Sequence, residues 1–226
     1  MRSIKFDLME IRRSNKTLGI QCILLMSLLC ACMIPISSYP SGRTIGAGNS
    51  AYDTSLTIGS DHDGHRVIVP EGRWLFGQSE NFDLGLEVIP PTTIGGIARY
   101  SVLNQEDGLA LAIHGGVGVT PLITFTAFYL NAGSTLSYRH GQWEPYLVAQ
   151  QNVSRVNIQG DADSDDFFSF DEEEFDETFL STSVGLVWWS SEHWGIYFQA
   201  TMLNGLEGSF QELEDSTLFS IGFTSH

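Results

Sequence analysis

The chain has 226 residues, with 27 acidic against 11 basic side chains and a formal net charge of −16. After residue 31 the only basic side chains besides histidine are Arg43, Arg66, Arg73, Arg99, Arg139 and Arg155, while all but two of the acids lie there. Such a surface repels phosphate backbones, which excludes nucleic acid as a partner class and argues against a polybasic membrane-surface binder. The three cysteines are Cys22, Cys30 and Cys32, so residues 33–226 have neither a disulfide framework nor a thiolate metal site.

Arg12, Arg13 and Lys16 precede an apolar run from Leu18 to Leu29 that ends on small residues. That is the layout of a secretory signal. Met9 is an alternative start, since residues 1–8 add little to a signal. An uncleaved membrane anchor over 18–34 is the competing reading, as the run is near the ~18-residue minimum for a span and Pro35 stops it. Leu29-Cys30-Ala31-Cys32 resembles the lipobox of bacterial lipoproteins. The resemblance implies that residues 1–31 are a removed signal peptide and that Cys32 is lipidated as the new N-terminus. Met33 stands where an aspartate would imply inner-membrane retention, so the resemblance points to the outer membrane.

Residues 32–48 read as a lipid-anchored flexible tether, with Pro35, Pro40, Gly42, Gly46 and Gly48 among several serines. From Asn49 to the last residue, short segments of alternating polarity are separated by turn residues, the signal of strands. Ten are predicted: Asn49–Gly59, Val67–Phe76, Phe82–Ile89, Thr93–Leu103, Leu109–Val119, Leu122–Arg139, Trp143–Asn157, Phe179–Trp189, Trp194–Leu203 and Ser216–Thr224. The sixth has a candidate break at Asn131-Ala132-Gly133. The expected fold is all-β: an antiparallel up-and-down β-barrel over 49–226, of about ten strands (8–12) and transmembrane.

In Leu109–Val119 one face carries Leu109, Leu111, Ile113, Val117 and Val119, and the other Ala110, Ala112, His114, Gly116 and Gly118. Phe82, Leu84, Leu86 and Val88 oppose Asp83, Gly85 and Glu87. Leu180, Val184, Leu186 and Trp188 oppose Ser181, Ser183 and Gly185. Phe219, Ile221 and Phe223 oppose Ser220, Gly222 and Thr224. Such a sheet either packs its oily face inward as a soluble barrel or turns it outward to lipid around a polar lumen. The connections favour the second. Links on the side of the N-terminus are short, and the two longest, Ile158–Thr178 and Asn204–Asp215, fall on the opposite side. Trp74, Phe76, Phe82, Trp143, Trp188, Trp189 and Trp194 flank the short turns and match an aromatic girdle.

Leu218-Phe219-Ser220-Ile221-Gly222-Phe223 looks like the closing strand of outer-membrane barrel proteins, overshooting by Thr224-Ser225-His226. The lipobox, the stretch Thr44-Ile45-Gly46-Ala47-Gly48-Asn49, and hairpins such as Asn81-Phe82-Asp83-Leu84-Gly85-Leu86 followed by Gly96-Ile97-Ala98-Arg99-Tyr100 together resemble bacterial outer-membrane β-barrel lipoproteins. That resemblance implies a fold and a location in a Gram-negative outer membrane, with membrane lipid as the partner. It carries no activity, cofactor or protein partner.

Candidate sites are few. The acidic run Asp161–Glu177 includes Asp161, Asp163 and Asp165, alternating as in a calcium loop but without its glycine and glutamate, so it reads as a solvated loop. Asp61-His62-Asp63-Gly64-His65 reads as a turn before it reads as a metal site. His114 is expected to point into the lumen as a polar filler. Isolated in-strand charges are expected to pair across the lumen, Glu87 with Arg99 first. No nucleophile–base set can be assigned. The expected function is non-enzymatic: small-solute passage, or a structural or surface-interaction role. The alternatives are a lipocalin-like barrel holding an apolar ligand and, more weakly, a lipid-modifying enzyme.

Overall fold

The computed structural model describes residues 38–60, 66–90, 92–121, 125–158, 173–207 and 216–225. Among them the strands are β1 (Ser50–Ser60), β2 (Arg66–Ser79), β3 (Phe82–Ile89), β4 (Thr93–Asn104), β5 (Gly108–Pro121), β6 (Phe125–Arg139), β7 (Trp143–Ile158), β8 (Glu173–Trp189), β9 (Trp194–Glu207) and β10 (Ser216–Ser225). Each pairs antiparallel with its sequence neighbours, and β1 pairs with β10, with Asp53 opposite Thr224 and Ile58 opposite Phe219. The sheet is therefore a closed up-and-down barrel with no free edge.

The ten strands are those expected, several of them longer by up to four residues, as where β9 runs on to Glu207, and two call for comment. The sixth runs unbroken through Asn131-Ala132-Gly133, because Asn131, Ala132 and Gly133 pair both with Gly116, Gly115 and His114 on β5 and with Asn152, Gln151 and Gln150 on β7. The eighth begins at Glu173 rather than Phe179, since Glu173–Thr178 pair along β7 from Ile158 to Val153. Pairing with an already ordered neighbour satisfies the backbone of an acidic segment that has no strand propensity of its own.

Alternation sets the direction of every side chain. The oily faces point outward. On β5, Ile113 and Val117 are 53% and 58% exposed, while Ala110, Ala112 and His114 are buried. Leu84 and Leu86 on β3, Leu180, Val184 and Leu186 on β8, and Phe219, Ile221 and Phe223 on β10 are all exposed, and the polar residues between them face in. The barrel is thus apolar outside and polar within.

We call the end at which the chain joins β1 the near end. There the turns Glu80-Asn81, Gln105–Asp107, His140–Gln142 and Ser190–His193 are short. Trp74, Trp143, Trp188, Trp194 and Phe76 stand exposed on the wall next to them. Trp189, expected in the same belt, faces the lumen instead and is 1% exposed, because the alternation of β8 sends it opposite to Trp188.

Candidate functional site: the filled lumen

The segment expected to be a flexible tether is, in its described part, a plug. Ser38 to Ile45 are all buried within the barrel. The chain leaves the lumen through a tight turn. Gly46 and Gly48 take positive φ values of 81° and 78°, the Asn49 amide donates to the Gly46 carbonyl at 3.2 Å, and the Asn49 side chain donates to the Ile45 carbonyl at 2.9 Å. The turn seats on Gly77, where a Cβ would lie 1.8 Å from the Gly46 carbonyl oxygen.

From the near end inward, the plug is bonded residue by residue to the wall. The Thr44 hydroxyl donates to the Glu80 carbonyl at 2.6 Å and accepts from the Asn104 side chain at 2.9 Å. Arg43 donates to the carbonyls of Gln105 and Gly108, at 3.1 and 2.6 Å, and to the carboxylate of Glu144. Gly42 donates to Ser137 at 3.0 Å and accepts from Ser101 at 2.6 Å. The Ser41 hydroxyl donates to Glu144 at 2.7 Å, and Ser38 donates to Gln199 at 2.8 Å. Glu144, fully buried, receives a further bond from the Trp189 indole at 2.9 Å. The buried acid is stable there because its oxygens all meet donors.

Deeper in, Arg73 is the hub. Its guanidinium meets Glu87 at 2.5 Å, Glu71 at 2.9 Å and Asp53 at 3.4 Å. Arg99 grips Asp83 through two nitrogens, at 2.6 and 2.9 Å, and donates to the Ser41 carbonyl at 3.3 Å. The Tyr39 ring lies between these two arginines, 5.2 Å from Arg73 and 5.7 Å from Arg99, a cation–π arrangement. The expected Glu87–Arg99 pair is not formed. Arg99 sits opposite Asp83 in the β3–β4 register, while Glu87 sits opposite Gly95 on that side and opposite Arg73 on the other. Register, not strand adjacency, chose the partners.

Tyr129 completes the cluster, donating to Glu87 at 2.9 Å. Its ring crosses the wall at two glycines. A Cβ on Gly95 would lie 2.0 Å from its hydroxyl, and one on Gly118 would lie 2.2 Å from its ring. His114 does face the lumen, its ring centroid 4.7 Å from that of Tyr39. Among the described residues neither of its nitrogens has a hydrogen-bond partner, and none of their serines or carboxylates is arranged with it as a nucleophile–base pair. Cys32, Asp161, Asp163, Asp165 and the Asp61–His65 turn lie outside the described residues.

The chain is similar to solved outer-membrane β-barrels. The N-terminal β-barrel domain of Pseudomonas aeruginosa OprF is 13% identical, with 79% of this chain and 97% of that one covered and a TM-score of 0.36. Neisserial surface protein A is 10% identical over 78% and 94% of the two chains, with a TM-score of 0.37. The Yersinia pestis attachment invasion locus protein Ail is 11% identical over 77% and 93%, with a TM-score of 0.34. No protein-family model and no curated protein sequence matches the chain. The barrel assignment rests on this chain's own pairing and side-chain directions.

Proposed function

We propose that this protein is embedded in a Gram-negative outer membrane, anchored in addition through an acylated Cys32, and that it has a structural or surface-interaction role rather than that of an open pore. The observation that carries the reading is the inverted polarity of the barrel. An apolar outer wall bordered by tryptophans suits hydrocarbon, and antiparallel strands of 8 to 17 residues suit the 9–11 residues needed to cross it at a tilt. The closed ladder pairs each described strand with a neighbour on both sides, as a lipid-facing sheet requires. A lumen filled by ion pairs and by Ser38–Ile45 argues against solute passage.

The test is to express the full chain in a Gram-negative host and fractionate the membranes. The reading expects the protein in the outer membrane, with gel mobility that differs between unheated and boiled samples and no steady conductance in planar bilayers. Recovery of the Cys32→Ser variant as a soluble protein would overturn it.

A further inference from the structure

The outer wall is not evenly covered. On the seam of β9, β10 and β1 the register sets two outward rows side by side. In one, Ile58 stands opposite Phe219 and Phe219 opposite Ala200. In the other, Leu56 stands opposite Ile221 and Ile221 opposite Phe198. Five of these side chains are large and exposed, with Phe198 at 56% and Phe219 at 62%. Ala200 is the small one, set between them. The outcome is a hollow of about 350 Å³ on the outer wall, bordered by these six residues and open to the outside. Gln199 and Ser220 also border it, but they turn inward and spend their polar atoms on Ser38, Tyr146, Thr201 and Thr57.

Depth narrows what can fill the hollow. Trp194, in the near-end belt, stands four residues before Phe198 and six before Ala200 on β9. On a tilted strand that is about 10–16 Å from the belt, the middle of an apolar wall about 25 Å tall. A headgroup or a soluble peptide does not reach that depth. A second copy packed about a two-fold axis brings the same patch to the contact. Hollow then faces hollow, and the side chains around the void lose their contacts. A methylene chain is apolar and flexible, so it follows an irregular apolar surface and touches three strands at once.

We propose that this hollow is a binding site for an acyl chain of a membrane phospholipid, held there more firmly than lipid is held on the rest of the wall. The proposal rests on the reading of the outer wall as lipid-facing. Ala200 makes the floor and Phe198 and Phe219 the sides, so a larger side chain at 200 fills the site without touching the lumen.

The test reconstitutes the full chain in vesicles of phosphatidylethanolamine and phosphatidylglycerol, extracts it into mild detergent and weighs it by native mass spectrometry. The heat-modifiable barrel is expected to keep one phospholipid. Ala200→Trp is expected to lose it, and Phe219→Ala, which removes one side of the hollow, to keep less. Val117→Trp, on the exposed wall of β5 across the barrel, is expected to keep it as the parent chain does. No retained lipid on the heat-modifiable parent chain, or equal loss in Ala200→Trp and Val117→Trp, overturns the site. A doubled protein mass that Ala200→Trp abolishes assigns the hollow to a second copy and also overturns it. So does retention by Cys32→Ser but not by the parent chain, since the chain's own anchor then fills the hollow. The lipid-facing reading fails separately: lipid kept by a chain recovered as a soluble protein removes that reading and leaves the site.

Discussion

Arg43 in the plug and Glu144 on β7 form an ion pair sealed from solvent, with Ser41 and Trp189 donating to the same carboxylate. Removing one member leaves the other buried and bare, which in comparable sites costs about 3–5 kcal/mol. Arg43→Ala or Glu144→Gln is therefore expected to lower the urea midpoint of the barrel in lipid vesicles substantially, and Arg43→Leu with Glu144→Leu is expected to cost less than the sum of the single changes. Additive losses would mean that the plug and the wall are not coupled through this pair.

Without residues 38–45 the lumen loses Arg43 and keeps Asp53, Glu71, Asp83, Glu87 and Glu144 around Arg73 and Arg99. A chain in which the leader is joined directly to Gly46 is expected to conduct in planar bilayers and to prefer cations over anions, whereas the intact chain stays silent. Reversal potentials in a potassium chloride gradient measure the preference.

Tyr129 occupies the space that side chains on Gly95 and Gly118 would take. Gly118→Val forces the ring away from Glu87 and is expected to destabilise by about 1–3 kcal/mol, the usual cost of overpacking. Gly118→Val combined with Tyr129→Ala is expected to recover part of that loss, as read by thermal loss of the heat-modifiable form.

Arg155 and Asp176 pair at 2.8 and 3.0 Å on the outer wall, in the far half of β7 and β8, both exposed. Solvent screens the pair, so Asp176→Asn is expected to leave the urea midpoint at neutral pH unchanged.

The strands were legible because nearly every one alternates cleanly. In β3, Asp83 and Glu87 are separated from Leu84 and Leu86 by a strict period of two, and the structure keeps that division with the acids inside. Periodicity alone leaves open which face looks inward. The tryptophans helped, yet Trp188 and Trp189 are adjacent, and a strand must send one of them to the lumen. The ion pairs were not legible as pairs. Arg99 has Asp83 and Glu87 within reach on the neighbouring strand, and only the register, with Asp83 opposite, selects between them. The plug was hidden by its composition, since Ser, Pro and Gly in 38–48 read as linker. Its one signal was charge: acids placed at inward strand positions outnumber inward arginines, and Arg43 is the one basic residue in the stretch before β1.

The central claim is that the outward face of the sheet meets lipid. It is tested most directly by placing single spin labels along β5 from Leu109 to Val119, in a chain with Cys32→Ser, and measuring collision with oxygen and with a water-soluble nickel complex in lipid vesicles. The account predicts alternation, with high oxygen access at positions 109, 111, 113 and 117 and low access to both probes at 110, 112 and 114. Nickel access at the odd positions as high as at an exposed loop would place that face in water and contradict it.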